Sequence, residues 1–384
     1  MQSMTWRSMA LGEAITLKRG YDLPSKKRVK GKVPVYSSSG RSGVHNEAAV
    51  HGPGVITGRY GTIGEVFYAT DNYWPLNTTL YVSDFKGNYP HFIYYLLKTI
   101  NWNNYTTASA VPGINRNHVH HCVVTIPDLT TQHKIAYVLG TYDQQIDCLT
   151  RTNGHLRELL KIEFANRFEN EDTPVIKLGD VASIWKKSVK PANDPDKYWE
   201  HYSIPAFDAE QYPSFDLGNT IKSNKYEVVP NSVLVSKLNP TTQRLWLPQL
   251  INADSAICST EFIEYVPSNK KDYSFYCSAL MQDRFFGYLE GHVTGSTGSR
   301  QRVHPGDTLA YAVPNPCASE IRDYCMFADP VIKQIRNTSI ELKRLETLRS
   351  ALLPKLMSGE IDVSKIKLYT PPYQTVHANG RLSD

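Results

Sequence analysis

The stretch TGRYGTIGE (Thr57–Glu65) sets Arg59 and Tyr60 between glycines, directly after the apolar run GVI. An arginine carried on such a loop can grip guanine O6 and N7 in a major groove, or simply a phosphate. The plainer alternative is a surface hairpin arginine. In SKLNP (Ser236–Pro240), Lys237 and Asn239 stand in a matching place. Two further loops, SAVPGINRNHVHH (Ser109–His121) and GSTGSRQRVHP (Gly295–Pro305), open on small residues that include Ser109 and Ser296, and both run into basic side chains. Their glycines let backbone approach a phosphate closely, and Arg116, Arg300 and Arg302 supply charge. Both could equally be turns into the next strand. Recurrence of the same chemistry in both halves of the chain favours contact with nucleic acid.

Other chemistries fit less well. His118, His120 and His121 invite a metal, but on a strand only two of these histidines, His118 and His120, share a face, and no carboxylate nearby completes a site. Asp329 with Glu341-Leu-Lys343 loosely resembles a nuclease pattern, yet Glu341 and Lys343 flank the apolar Leu342 and Leu345, as solvated helix charges do. LNPTT (Leu238–Thr242) lacks the second proline and the aromatic that an amino-methyltransferase would stack on a flipped base. Neither a phosphate-binding G-x-x-x-x-G-K-[ST] loop nor a G-x-S-x-G nucleophile turn occurs. The chain is expected to catalyse nothing itself and to bind no metal. The rivals are a stand-alone nuclease or methyltransferase, and a partnerless DNA-binding scaffold or decoy.

A length of 384 residues leaves room for two domains and a connector. A net charge of +5 permits a polyanionic partner without demanding one. The 6 cysteines form no C-x-x-C pair, which favours free thiols. No apolar run is long enough to span a membrane, and MQSMTWRSMALGEAITLKRG lacks a signal peptide's apolar stretch, so a cytoplasmic location is expected.

Two helical seams must position the loops. Ile135, Leu139, Tyr142, Ile146, Leu149, Asn153, Leu156 and Leu160 alternate in steps of four and three; so do Val331, Ile335, Thr338, Leu342, Leu345, Arg349, Leu352 and Leu356. The first helix is expected from Thr131 to Phe168, capped by Thr130 or Thr131, and about 55 Å long. The second is expected to start at Asp329-Pro330, kink at Pro354 and stop at Gly359. Asn153 and Arg349 interrupt the seams, either facing solvent or fixing register. With a domain between them, the helices would most easily pair antiparallel. The sequence also repeats: LGEAITLKRG (Leu11–Gly20) is echoed by LGDVASIWKK (Leu178–Lys187), GVITGRYG (Gly54–Gly61) by SVLVSKLN (Ser232–Asn239), NTTLYV (Asn77–Val82) by STEFIEY (Ser259–Tyr265), and TTASAVPGINRNHV (Thr106–Val119) by VTGSTGSRQRVHP (Val293–Pro305). The order is domain, helix, domain, helix.

With IPDLTTQHKIAYVLGTYDQQID (Ile126–Asp147), SKLNP, CSTEF (Cys258–Phe262) and LRSALLPKLMSGEIDV (Leu348–Val363), the chain resembles the DNA-specificity subunit of type I restriction–modification systems over Leu11–Val363. The second repeat departs from the pattern, reading VPNPCASEIRDYCMFADP where the first has a proline leading to Gln132 and Ile135. The resemblance implies an α+β fold with two target-recognition domains (1–128 and 173–316) in pseudo-twofold arrangement. Long antiparallel paired helices (129–172 and 317–362) would space them, and 363–384 would be a disordered tail. It implies double-stranded DNA as ligand, each domain reading half of a bipartite target. The implied partners are two methyltransferase subunits carrying S-adenosylmethionine and restriction subunits using ATP and Mg, with no cofactor on this chain. Gln132, Asp143, Arg157, Lys343, Arg344 and Arg349 are the polar residues expected on the docking faces of the helices.

Overall fold

The computed structural model describes residues 6–106, 112–295 and 301–368. They form two compact units, Met1–Gln144 with Thr347–Asp384, and Gln145–Glu346.

In the first unit, an antiparallel sheet runs in the order Thr16–Arg19, Thr79–Asp84, Gly54–Gly58, Val66–Ala69. Arg7–Ala10 pairs antiparallel with Val123–Ile126 beside it. One sheet face and the helix Pro90–Thr99 enclose a core of Leu17, Val55, Leu80, Phe92 and Ile93. The second unit repeats this order with Ala182–Trp185, Phe262–Pro267, Val233–Ser236 and Leu245–Trp246, and pairs Val175–Lys177 with Ala312–Pro314. The repeat reaches single hydrogen bonds: the Leu11 amide donates to the Cys122 carbonyl at 2.7 Å, and the Leu178 amide to the Tyr311 carbonyl at 2.8 Å. Each unit then adds a sheet of its own. Val33–Ser37, Gly40–His45 and Trp74–Pro75 form the first; the second has five strands, in the order Ser188–Val189, Lys225–Glu227, Ala256–Ser259, Tyr198–Tyr202, Ser214–Leu217.

The first long helix, Leu129–Phe168, starts two residues earlier than the sequence suggested. Asp128 caps it, accepting from the Thr131 amide at 3.1 Å and the Thr131 hydroxyl at 2.8 Å, so Thr131 is a capped residue and not the cap. The second long helix, Ala318–Met357, starts eleven residues before the expected Asp329-Pro330. The Glu320 carboxylate accepts from the Cys317 amide at 2.9 Å at its true start. Pro330 forfeits one helical hydrogen bond, to the carbonyl of the exposed Met326, and Asp329 instead accepts from Ser274. The helix continues through Pro354 and ends before Gly359, whose φ of +78° suits a residue without a side chain.

Within each unit the long helices meet, and their residue numbers run in opposite senses. In the second, Leu160 and Phe164 share a core with Tyr324, Ala328 and Ile332, while Leu156 and Val331 pack beside it. Asn153, one turn further back, donates to the Ile335 carbonyl at 3.3 Å and the Ser339 hydroxyl at 3.2 Å, so it faces the partner helix. Ile335, Thr338 and Leu345 are buried, and Ile146, Leu149 and Leu342 half-buried. In the first unit, Ile135 and Leu139 join a core with Leu356 and Met357, and Leu352 packs against it. Arg349 pairs with Asp143 at 2.7 Å, so it too is engaged across the helices. The expected disordered tail begins too early: Val363 is 1% exposed in this core and Ile366 packs on it. Residues 369–384 lie outside the described residues.

Glu264, 1% exposed on a central strand, occupies the place that Tyr81 holds in the first unit, since each stands opposite an equivalent residue, Leu234 or Ile56. Burial pushes its carboxyl from 4.5 up to about 7; the Val229 amide, donating at 2.8 Å, offsets part of this. The folded chain therefore holds a proton that the unfolded chain releases first. Its contribution to stability is full below about pH 4.5 and fades as pH rises towards 7. Glu264→Gln is expected to flatten the melting temperature against pH and to raise it at pH 8 by about 2–4 °C or more; differential scanning calorimetry across pH 5–8 measures both.

Candidate nucleic-acid interface

The strand Gly54–Gly58 is wholly buried and delivers the next two residues to the surface under tight backbone control. The amides of Arg59 and Tyr60 both donate to the Thr78 carbonyl, at 2.9 and 3.2 Å, and the Arg59 carbonyl accepts from the Ile114 amide at 3.0 Å. Tyr60 bridges to Gly113, where a Cβ would lie 2.1 Å from the tyrosine ring, so only glycine admits the ring there. The Arg59 guanidinium sits 4.4 Å from the Tyr60 ring centroid, and its Nε donates to the Ile114 carbonyl at 3.4 Å. Arg116 opens the short helix Arg116–His120, capped by Asn115, whose Oδ1 accepts from the Asn117 amide at 3.0 Å.

These elements line a cleft of about 390 Å³ with Arg19, Arg59, Tyr60, Leu80, Gly113, Ile114, Asn115 and Arg116. No carboxylate is among the described residues that line it. Three guanidiniums and an aromatic ring around one concavity attract a polyanion and offer planar donor forks to phosphate oxygens or base edges. Arg59, Tyr60 and Arg116, candidates from two separate stretches of sequence, thus line one cleft. Arg19 is not among the sequence candidates, although LGEAITLKRG and LGDVASIWKK align it with a second cation, Lys186.

The histidines lie differently from expectation. Residues 116–120 form a helix and not a strand, and the His120 ring Nε2 accepts from the Leu17 amide at 3.0 Å. Burial first, then the nearby Arg116 and Lys86 charges, hold its pKa below the usual histidine value, which suits a neutral acceptor.

The second unit builds the same frame with different side chains. The Lys237 amide donates to the Glu261 carbonyl at 2.9 Å, and the Lys237 carbonyl accepts from the Val303 amide at 3.1 Å, reproducing the Arg59 pattern. Leu238 bridges to Arg302 as Tyr60 bridges to Gly113. Asn239 takes a positive φ of +47° where Gly61 has +77°, and its Oδ1 is buried without a partner among the described residues. Asparagine tolerates that backbone better than other side-chain-bearing residues, which gives it a local turn role beside any contact with ligand. Arg302 forms a two-pronged pair with Glu261, Nε to Oε2 at 3.0 Å and Nη2 to Oε1 at 3.2 Å. Ser109, Ser296 and Arg300 lie outside the described residues.

Most of the expected docking residues on the helices are already engaged. Gln132 is 3% exposed: its carbonyl accepts from the Tyr89 amide, and its NH₂ donates to Asn88 and the Pro127 carbonyl. Asp143 holds Arg349 and accepts from the Tyr95 hydroxyl at 2.5 Å. Arg157 donates to Gln211 at 3.3 Å, and Lys343 pairs with Glu210 at 2.5 Å. Arg344 keeps a side chain 70% exposed, beside Glu341 at 3.6 Å. The exposed large apolar residues of the two helices are Leu129, Tyr137, Leu159, Ile162, Met326 and Leu348.

Comparison with known proteins agrees with this frame. Residues 4–158 match the family described as the type I restriction modification DNA specificity domain. The specificity subunit of type I restriction enzyme MjaIX from Methanocaldococcus jannaschii is 21% identical over 313 residues, covering 73% of this chain and 71% of that protein. The crystal structure of the S subunit of a type I restriction–modification system from M. genitalium has the same fold, with a TM-score of 0.63 at 16% identity over 93% of this chain and 97% of that one. The duplicated frame and the paired long helices accompany these matches: residues 4–158 match the type I restriction modification DNA specificity domain, and the chain as a whole is similar to specificity subunits of type I restriction–modification systems.

Proposed function

We propose that the chain binds double-stranded DNA and reads a bipartite target, each unit reading one half. The observation that carries this is the repetition of one hydrogen-bonded frame with cations at equivalent points: Arg19 and Arg59 in the first unit, Lys186 and Lys237 in the second. A frame repeated in detail with altered side chains suits two readers of different base sequences. Each long helix has 40 residues and so spans about 60 Å. That is long enough to separate half-sites one helical turn apart, about 34–36 Å. Methyltransferase and restriction subunits would dock on the chain and bring S-adenosylmethionine, ATP and Mg. The exposed apolar residues of the helices, and not their engaged charges, are the surface this proposal assigns to docking.

Arg59→Ala is expected to weaken DNA binding and to lower the slope of log affinity against log salt by about 0.9 if Arg59 holds a phosphate; if it reads a base, one position of one half-site relaxes instead. Fluorescence anisotropy across salt, beside methylation mapping, decides between these outcomes, and no change in either removes the cleft from the interface. Removing seven residues from the middle of each long helix preserves the seam and shortens the spacer by about 10 Å. Both half-sequences should persist with a gap about three base pairs shorter. An unchanged gap with full methylation would disprove the helical ruler.

A further inference from the structure

The two frames differ sharply at one pair of equivalent points. Where the second unit has Glu261 and Arg302, the first has Thr78 and Gly113. The frame therefore forms with or without a carboxylate–guanidinium pair. Glu261 is itself well anchored: its amide donates to the Ser259 hydroxyl at 3.3 Å, and its carbonyl accepts from the Lys237 amide at 2.9 Å. The carboxylate thus projects from a fixed point and takes two of the five N–H donors of Arg302, at 3.0 and 3.2 Å. Both side chains are partly exposed, 27% for Glu261 and 44% for Arg302. Exposed pairs of this kind add little to folding stability, so stability does not account for the pair.

Resting on the DNA-reading proposal above, we infer that Glu261 is a positioning residue that commits Arg302 to a base edge and away from the phosphate backbone. An arginine without an anion beside it is drawn to any phosphate within reach. A carboxylate bonded to the same guanidinium repels a second anion and fixes the plane of the fork. Guanine O6 and N7 accept a planar donor fork, carry no net charge and escape that repulsion. The pair makes a sequence reader from a side chain that would otherwise hold backbone. In the first unit, Arg19, Arg59 and Arg116 surround a cleft that no carboxylate among the described residues lines.

The test compares wild type, Glu261→Gln and Arg302→Lys as full chains co-expressed with their methyltransferase subunits. Glutamine keeps the shape of the glutamate and removes its charge. Methylation mapping should show both variants relaxing the same single position in one half of the motif, with discrimination falling about tenfold there, and the other half intact. Binding of the purified Glu261→Gln complex to a random duplex lacking the motif should tighten, and its salt slope should steepen by about 0.9 as Arg302 gains a phosphate. An unchanged motif for Glu261→Gln, or a relaxed position for Arg302→Lys alone, would reduce Glu261 to a surface ion pair and overturn the inference. Failure of the wild-type complex to methylate any sequence motif would instead overturn the parent reading, and this inference with it.

Discussion

Neither long helix can bury its apolar stripe alone, and the structure meets that constraint by ending both helices inside domain cores. In the first unit, Ile135 and Leu139 from one helix and Leu356 and Met357 from the other are buried with the sheet residues Leu17, Val55 and Leu80. In the second, Leu160, Phe164, Tyr324 and Ile332 share a core with Val233, Ile263 and Phe275. Each unit is therefore continuous with a stretch of paired helix. A rotation of helix against sheet would cost the packing of several large side chains at once, which is how a fixed angle is maintained.

The loops proposed to read DNA inherit that rigidity. Arg59 and Lys237 each sit one residue past a wholly buried strand, and each is tied by backbone hydrogen bonds on both sides. The backbone frame is common to the two units and the side chains on it are not: a guanidinium packed on a tyrosine in one, a lysine near a clamped arginine in the other. Conformation and chemistry are thus assigned to separate atoms, so one can change while the other stays.

Much of this frame was legible in the sequence, because repetition exposes it. The echoes LGEAITLKRG and LGDVASIWKK, and GVITGRYG and SVLVSKLN, correspond to equivalent strands in sheets of the same order. The seams were legible because a buried stripe dictates its own spacing, as Ile135, Leu139, Ile335 and Leu345 show. Helix starts were less legible. Pro330 reads as a first-turn residue, yet a long helix can absorb the loss of one hydrogen bond. Local signals also did not reveal that Gln132 turns inward to satisfy Tyr89 and Asn88, a pairing set by tertiary structure alone. The added sheet of each unit has no echo in the other half, and short strands such as Trp74–Pro75 and Ser188–Val189 carry too little pattern to be read in advance. Arg19 and Glu261 were overlooked for a related reason: their importance comes from what the fold places beside them.

Val363 closes the core of a unit whose sheet is otherwise complete by Ile126. On a ribosome adding roughly 5–20 residues per second, that core waits on the order of ten seconds or more for its last apolar side chains. The second unit, bounded by Gln145 and Glu346, has all its parts before then. Nascent chains should therefore mature out of sequence order, the later-encoded half first, and the earlier half would be the one that relies on chaperones in the interval.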